Sequence, residues 1–128
     1  MNPTKVPHII TGDDDQLLPV LRRAISGYLQ MDFAVAFVQC SGLFKLQDAI
    51  EEALEHGAKI RMLVGDYLGI TSPDAMDVML ALKDRFGNIN IKIFETEGHI
   101  SFHPKAYLFK DGRDATDTGE IVIGSSNI

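Results

Sequence analysis

The architecture follows from one apolar segment, Phe33-Ala34-Val35-Ala36-Phe37-Val38, in the first third of a 128-residue chain. The segment is short, and its apolar residues occupy successive positions rather than every second one. Such a run of β-branched and aromatic residues is typical of a strand that is covered on both faces. We therefore expect this segment to form a central strand, with helices on both sides of its sheet.

Helical and extended patterns alternate on either side of this strand. Apolar residues recur at helical spacing in three regions: 15–29, 43–54 with a stop at Gly57, and a helix that Ser72-Pro73 begins. Extended patterns occupy 59–64, 89–94, 101–109 and 120–124. A polar, glycine-bounded loop separates the last two strands, which indicates a hairpin. The order predicts an α/β fold, specifically a layered α-β-α domain with a mixed, mostly parallel sheet and a C-terminal antiparallel hairpin.

Composition excludes several classes of protein. Hydrophobic residues make up 45% of the chain and charged residues 23%, which is typical of a globular domain rather than a disordered one. The longest apolar run is too short to span a membrane, and the single cysteine, Cys40, cannot form an internal disulfide. We expect one cytoplasmic domain over residues 1–128, the N-terminal piece of a longer protein, because the sequence stops directly after a strand and a turn.

The net charge of −6 argues against a large nonspecific nucleic-acid surface, and no segment of the chain is a basic patch. A small phosphate site remains compatible with this balance. The strand at 101–109 offers one, because period-two geometry places His103, Lys105 and Tyr107 on the same face. An imidazole beside a fixed ammonium suits attack on a phosphate, whose charge the ammonium offsets.

The following strand ends in Gly124-Ser125-Ser126-Asn127, which adds backbone N–H groups and neutral donors for phosphoryl oxygens. Asp66 follows another strand end, at the edge where open α/β sheets bind ligands. We therefore place Asp66 and Tyr107 at the possible rim of the site. Asp66 also fits an ordinary turn equally well.

Together these motifs resemble the signature of the phospholipase D superfamily, His-any-Lys followed downstream by Gly-Ser-any-Asn. His103-Pro104-Lys105 and Gly124-Ser125-Ser126-Asn127 match it residue for residue. The resemblance implies a phospholipase D-like fold in which His103 is the nucleophile and Lys105 and Asn127 hold the phosphate, with Gly124 and Ser125 assisting. It also implies phosphodiester chemistry without a metal or other cofactor. The chain departs from the family pattern at Lys110, where the family often has an aspartate.

The resemblance also bears on assembly and partners. The chain holds one copy of a motif that acts in pairs, which implies a homodimer that completes the site. The wider context resembles domains at the N-termini of superfamily 2 helicases and restriction-type proteins, which implies a DNA or other phosphodiester substrate and a helicase motor in the same parent chain. Two alternatives stay open: an inactive module for nucleic-acid binding or dimerisation, and, ranked last, a lipid-directed phospholipase.

Overall fold

A computed structural model describes residues 17–36, 38, 40–65, 73–94, 105–112 and 119–124 of the chain. These residues form three helices and five strands. In chain order they are α1 (Leu17–Gly27), β1 (Gln30–Val35), α2 (Cys40–Glu55), β2 (Lys59–Gly65), α3 (Pro73–Arg85), β3 (Ile89–Phe94), β4 (Lys105–Lys110) and β5 (Gly119–Ile123). The α/β class predicted from the sequence is confirmed.

The strands form one mixed sheet in the order β3-β2-β1-β4-β5, so β1 lies at its centre as predicted. β1 pairs with β2, and β2 with β3, in parallel; β4 pairs with β1 and β5 in antiparallel fashion. The predicted C-terminal hairpin is confirmed. The prediction of a mostly parallel sheet is wrong for the described strands, which form two parallel and two antiparallel pairs. The reason is that the hairpin of β4 and β5 lies beside β1 and adds both antiparallel pairs.

The core lies on one face of the sheet, which we call the helix face. The two parallel crossovers run in the same direction across the sheet, so right-handed connections place α2 and α3 on the same side. α1 lies there too, because the Tyr28 ring, just after α1, lies 5.8 Å from Phe109 of β4. The largest fully buried side chains include Leu21, Ile25, Met31, Leu43, Leu46, Ile50, Ile60 and Met79.

The opposite face of the sheet, which we call the open face, has no helix from the described residues against it. β1 was predicted to be apolar and covered on both sides, but its burial alternates: Met31, Phe33 and Val35 are buried, whereas Asp32 and Ala34 are only half-buried. The strand begins at Gln30 rather than Phe33 because residues 30–32 already pair with β2 and β4. Asp32 also forms an ion pair with Arg61 on this face. The second helical layer of the predicted α-β-α arrangement therefore stays a prediction.

Ion pairs and one side-chain amide tie the helices to each other and to the sheet. The guanidinium of Arg22 in α1 donates to both carboxylate oxygens of Asp48 in α2, at 2.9 and 3.0 Å, and these hydrogen bonds lower the pKa of Asp48 to about 2. The amide of Asn88 donates to the carbonyls of Leu54 and Ala58, at 3.0 and 2.6 Å. The turn after α2 is thereby fixed against the start of β3.

Helix α2 ends at the predicted glycine. Gly57 has a φ of 91°, and its N–H donates to the carbonyl of Leu54 while that of Ala58 donates to Ala53. This is the paired hydrogen-bond pattern of a helix terminus that favours glycine, since an L side chain is strained at positive φ.

We expect the substitution Gly57→Ala to lower the free energy of unfolding by about 1 to 2 kcal/mol, the cost of the left-handed conformation for a residue with a Cβ. Urea denaturation measures this as a lower midpoint at an unchanged slope. Gly87→Ala is the matched control, because Gly87 also lies in a turn after a helix but outside the left-handed region, with open space around its Cα. Equal losses in the two variants would refute the strain argument.

Candidate functional site

The carboxyl ends of the three parallel strands define one edge of the sheet, which we call the phosphate edge. β1 ends there at Val35, β2 at Gly65 and β3 at Phe94. The antiparallel strand β4 begins at this edge with Lys105, and β5 ends at it with Ile123. Open α/β sheets bind ligands at such an edge, because loops leave the strands there.

Lys105 and Gly124 are neighbours at the phosphate edge. The backbone N–H of Gly124 donates to the carbonyl of Lys105 at 3.1 Å, which extends the β4–β5 ladder by one further hydrogen bond. Lys105 also faces Val35 in the register of β4 with β1, on the helix face, and its side chain is half-buried. The topology therefore brings the lysine of the first motif beside the glycine that opens the second.

The other predicted site residues fall largely outside the described part of the chain. His103, Ser125, Asn127 and Asp66 all lie outside it. Asp66 directly follows the last residue of β2, whereas His103 precedes the first residue of β4 by two positions. Each of these residues is thus close in sequence to a strand end at the phosphate edge, and their roles stay predictions.

Tyr107 was predicted at the rim of the site, and its burial corrects that placement. Its side chain is 1% exposed, and its ring meets that of Phe33 edge to face at a centroid separation of 5.7 Å. Burial raises the pKa of its hydroxyl well above the ordinary value. Tyr107 does share a face with Lys105, as alternation predicts, but that face is the one that packs against the helices. Tyr107 is accordingly a core residue.

A basic surface was missed by the sequence analysis, because its residues are far apart in the chain. Lys59 and Arg61 of β2, Lys92 of β3 and Lys110 of β4 all lie on the open face and are exposed. The alternation of Asn90 and Lys92 with isoleucines in β3 was the available signal. This alternation indicates an outward-facing lysine but does not show that other strands add cations to the same face.

The site has no preassembled metal centre in the part of the chain that the structure describes. There, no three His, Cys, Asp or Glu side chains are grouped so as to hold a metal ion. Nor is any helix among the described residues long and apolar enough to cross a membrane. Two concavities lie at the opposite edge of the sheet, around His56 and around Asn88, away from Lys105 and Gly124.

Comparison with known proteins finds matches among solved structures but none among family models or curated sequences. Among solved structures, the chain is similar to TrmBL2, an archaeal chromatin protein whose structure is described as showing a novel mode of DNA binding. The TM-score is 0.47 at 13% sequence identity, and the match covers 84% of this chain and 42% of that one. The chain thus spans less than half the length of this structural neighbour.

Proposed function

We propose that the chain is a phosphodiesterase domain of the phospholipase D type, a nuclease that acts on DNA through a phosphohistidine intermediate. The observation that supports this most is the hydrogen bond between Gly124 and Lys105, which joins the two signature motifs across adjacent strands. His103 lies two positions before Lys105, and Asn127 three positions after Gly124. The motifs that resemble the family signature therefore flank a single point on the phosphate edge.

The proposed reaction has two steps. An imidazole nitrogen of His103 attacks phosphorus, a P–N bond forms, and the P–O bond to the leaving strand breaks. The leaving oxygen takes a proton from His103 of a second copy, which a two-fold dimer supplies. Water then attacks phosphorus and gives its proton to that second imidazole, and the P–N bond breaks. Lys105 and Asn127 hold the non-bridging oxygens as charge develops on them.

The position of Lys105 suits this role. It is half-buried on the helix face, where an ammonium interacts with a phosphate more strongly than it would in open water. The hydrogen bond from Gly124 to the Lys105 carbonyl fixes the backbone of this lysine at the phosphate edge. An N-terminal position before a helicase motor or within a restriction-type protein, and a cytoplasmic location, are part of the same proposal.

Cleavage without divalent metal tests the proposal. We expect the purified protein to cut labelled single- or double-stranded DNA in EDTA, with His103→Ala protein prepared in parallel as the control for contaminating nuclease. Cleavage that requires added Mg²⁺ would contradict the metal-independent chemistry. Binding of DNA without any cleavage would favour the alternative, an inactive module that binds nucleic acid or dimerises.

One observation favours that alternative specifically. The family often has an aspartate five residues after the lysine, and here Lys110 occupies that position on the open face of β4, turned away from the face of Lys105. Asp111 comes one residue later. A supporting carboxylate must therefore come from elsewhere for the site to be active.

The substitution Lys105→Ala is expected to lower kcat by about 10² to 10³-fold, the usual effect of removing one charged donor from a developing oxyanion. KM should change much less, because the interaction strengthens in the transition state. Lys83→Ala is the control, since Lys83 is an exposed lysine in the last turn of α3 and far from the phosphate edge. Steady-state kinetics in EDTA makes the comparison, and a kcat unaffected by Lys105→Ala would refute the assignment.

A further inference from the structure

The charges of the described residues are divided unevenly between the two sides of the molecule. On the open face, four side chains are cationic and only Asp32 is anionic; the cations are Lys59, Arg61, Lys92 and Lys110. The helices on the other side carry most of the carboxylates together with five cations. The carboxylates are Asp48, Glu51, Glu52, Glu55, Asp74, Asp77 and Asp84, and the cations are Arg22, Arg23, Lys45, Lys83 and Arg85. A chain with a net charge of −6 thus has one face of opposite sign.

The cations of the open face are largely uncompensated. Arg61 is neutralised by Asp32, whose carboxylate accepts hydrogen bonds at 2.5 and 2.7 Å. Among the described residues, no carboxylate forms an ion pair with Lys59, Lys92 or Lys110. Mutual repulsion of unpaired lysines disfavours the folded state. An anionic partner would offset this repulsion and stabilise the face.

The register of the sheet sets the spacing of the lysines. Gln30 of β1 lies between Lys110 and Lys59 in one row across three strands, which places these two lysines about 10 Å apart. Lys92 faces Leu63, farther along β2, so the three lysines extend over about 20 Å of the sheet. Side chains of Gln30 and Asn90 add amide donors, and a concavity of about 580 Å³ lies beside Lys59 and Arg61.

An apolar strip adjoins the lysines on the same face. Ile121 is 65% exposed and Ile123 is 76% exposed, and Leu108 faces Ile121 from β4. A partner that covers the whole face would offer negative charges to the lysines and apolar groups to the strip. A nucleic-acid single strand has both, since its phosphates are regularly spaced and its unpaired bases expose their faces.

We propose that the open face binds single-stranded nucleic acid, with phosphates against Lys59, Lys92 and Lys110 and bases against Leu108, Ile121 and Ile123. This binding uses none of the residues assigned to phosphodiester chemistry. It provides a second contact surface for the nucleic acid, on a different part of the sheet from the phosphate edge.

Fluorescence anisotropy with a labelled 20-nucleotide single strand tests the proposal, in a His103→Ala background so that cleavage does not consume the probe. The pair Lys59→Gln and Lys92→Gln is compared with the pair Lys45→Gln and Lys83→Gln, which removes the same charge from helices. We expect the first pair to weaken binding about tenfold and to reduce the slope of log K against log salt by about 1.4, or 0.7 for each phosphate contact. The helix pair should leave the slope unchanged.

The apolar strip is tested by Ile121→Ser with Ile123→Ser, changes at exposed positions that cost little stability. They should weaken single-strand binding without altering the salt slope, and should leave the weaker binding of the matching duplex unchanged. Equal effects of the two lysine pairs would overturn the proposal. Displacement of the single strand by poly-glutamate at equal charge would also overturn it, because that result indicates an acidic protein partner. A change in sedimentation confined to the isoleucine variant would overturn it too, because that result indicates a second copy of the chain. These binding results do not depend on whether the natural chain cleaves DNA.

Discussion

The His103→Ala protein is expected to lose DNA cleavage in EDTA by at least about 10⁴-fold, to the level of background hydrolysis. Covalent catalysis divides one difficult displacement into two easier steps, and removing the nucleophile abolishes both. Alanine also leaves Lys105 and the backbone donors of the phosphate edge in place, so binding of DNA should persist. The expected signature is therefore a loss of cleavage with little change in the Kd for DNA.

The proposed homodimer allows the role of His103 to be measured in a second way, through the activity of mixed dimers. If His103 acts as nucleophile in one copy and protonates the leaving oxygen in the other, then a mixture of natural and His103→Ala subunits should form inactive mixed dimers. Activity at an equal ratio should fall toward about one quarter when subunits exchange at random, rather than to one half. A titration of the variant into the natural protein measures this, and a linear loss of activity would show that each copy acts alone.

The Phe33→Ala protein is expected to be less stable than the natural protein by about 3 to 5 kcal/mol, the usual cost of truncating a buried aromatic residue. Phe33 is 2% exposed at the centre of β1, and its ring meets those of Tyr107 and Phe109 at 5.7 and 5.6 Å. These contacts join the central strand to β4, so the truncation opens a cavity directly beneath the strand that begins with Lys105.

Denaturation in urea or by heat measures the loss, and a domain of this size has a total stability of only about 5 to 15 kcal/mol. Phe33→Leu is the milder variant if the alanine protein does not fold, and it should lie between the two. Phe44→Ala is the control, because Phe44 in α2 is 60% exposed and should cost under about 1 kcal/mol. Equal costs at Phe33 and Phe44 would contradict the position of the core.

Local patterns predicted the helices and strands of this fold well. Hydrophobic periodicity, and the residues that begin or end a helix or strand, are properties of neighbouring positions in the sequence. The strand at 89–94 was predicted with the bounds it has, and the helix after Ser72 begins at Pro73 as expected. Within α3, however, Leu80 lies at helical spacing from Met76 and is nevertheless 50% exposed. The buried positions are Ala75, Met79 and Leu82, since the side of the helix that meets the sheet depends on its packing angle.

Contacts between distant segments set the features that local patterns could not predict. Alternation in β4 placed Lys105 and Tyr107 on one face, but both faces of that strand hold apolar residues, so the sequence did not show which one the helices cover. The basic surface arises in the same way. Lys59 and Lys92 are 33 residues apart, and Lys92 and Lys110 are 18 apart. Only the pairing of β2 with β3 and of β1 with β2 and β4 brings them to one face.

The phosphohistidine intermediate is the most direct test of the proposed function. DNA with a radioactive scissile phosphate is mixed with the natural protein in EDTA, quenched in alkali and separated under denaturing conditions. The account predicts labelled protein whose label is stable to base, is lost in acid and maps to the peptide that contains His103. Cleavage without labelled protein, or the same label on the His103→Ala protein, would contradict it.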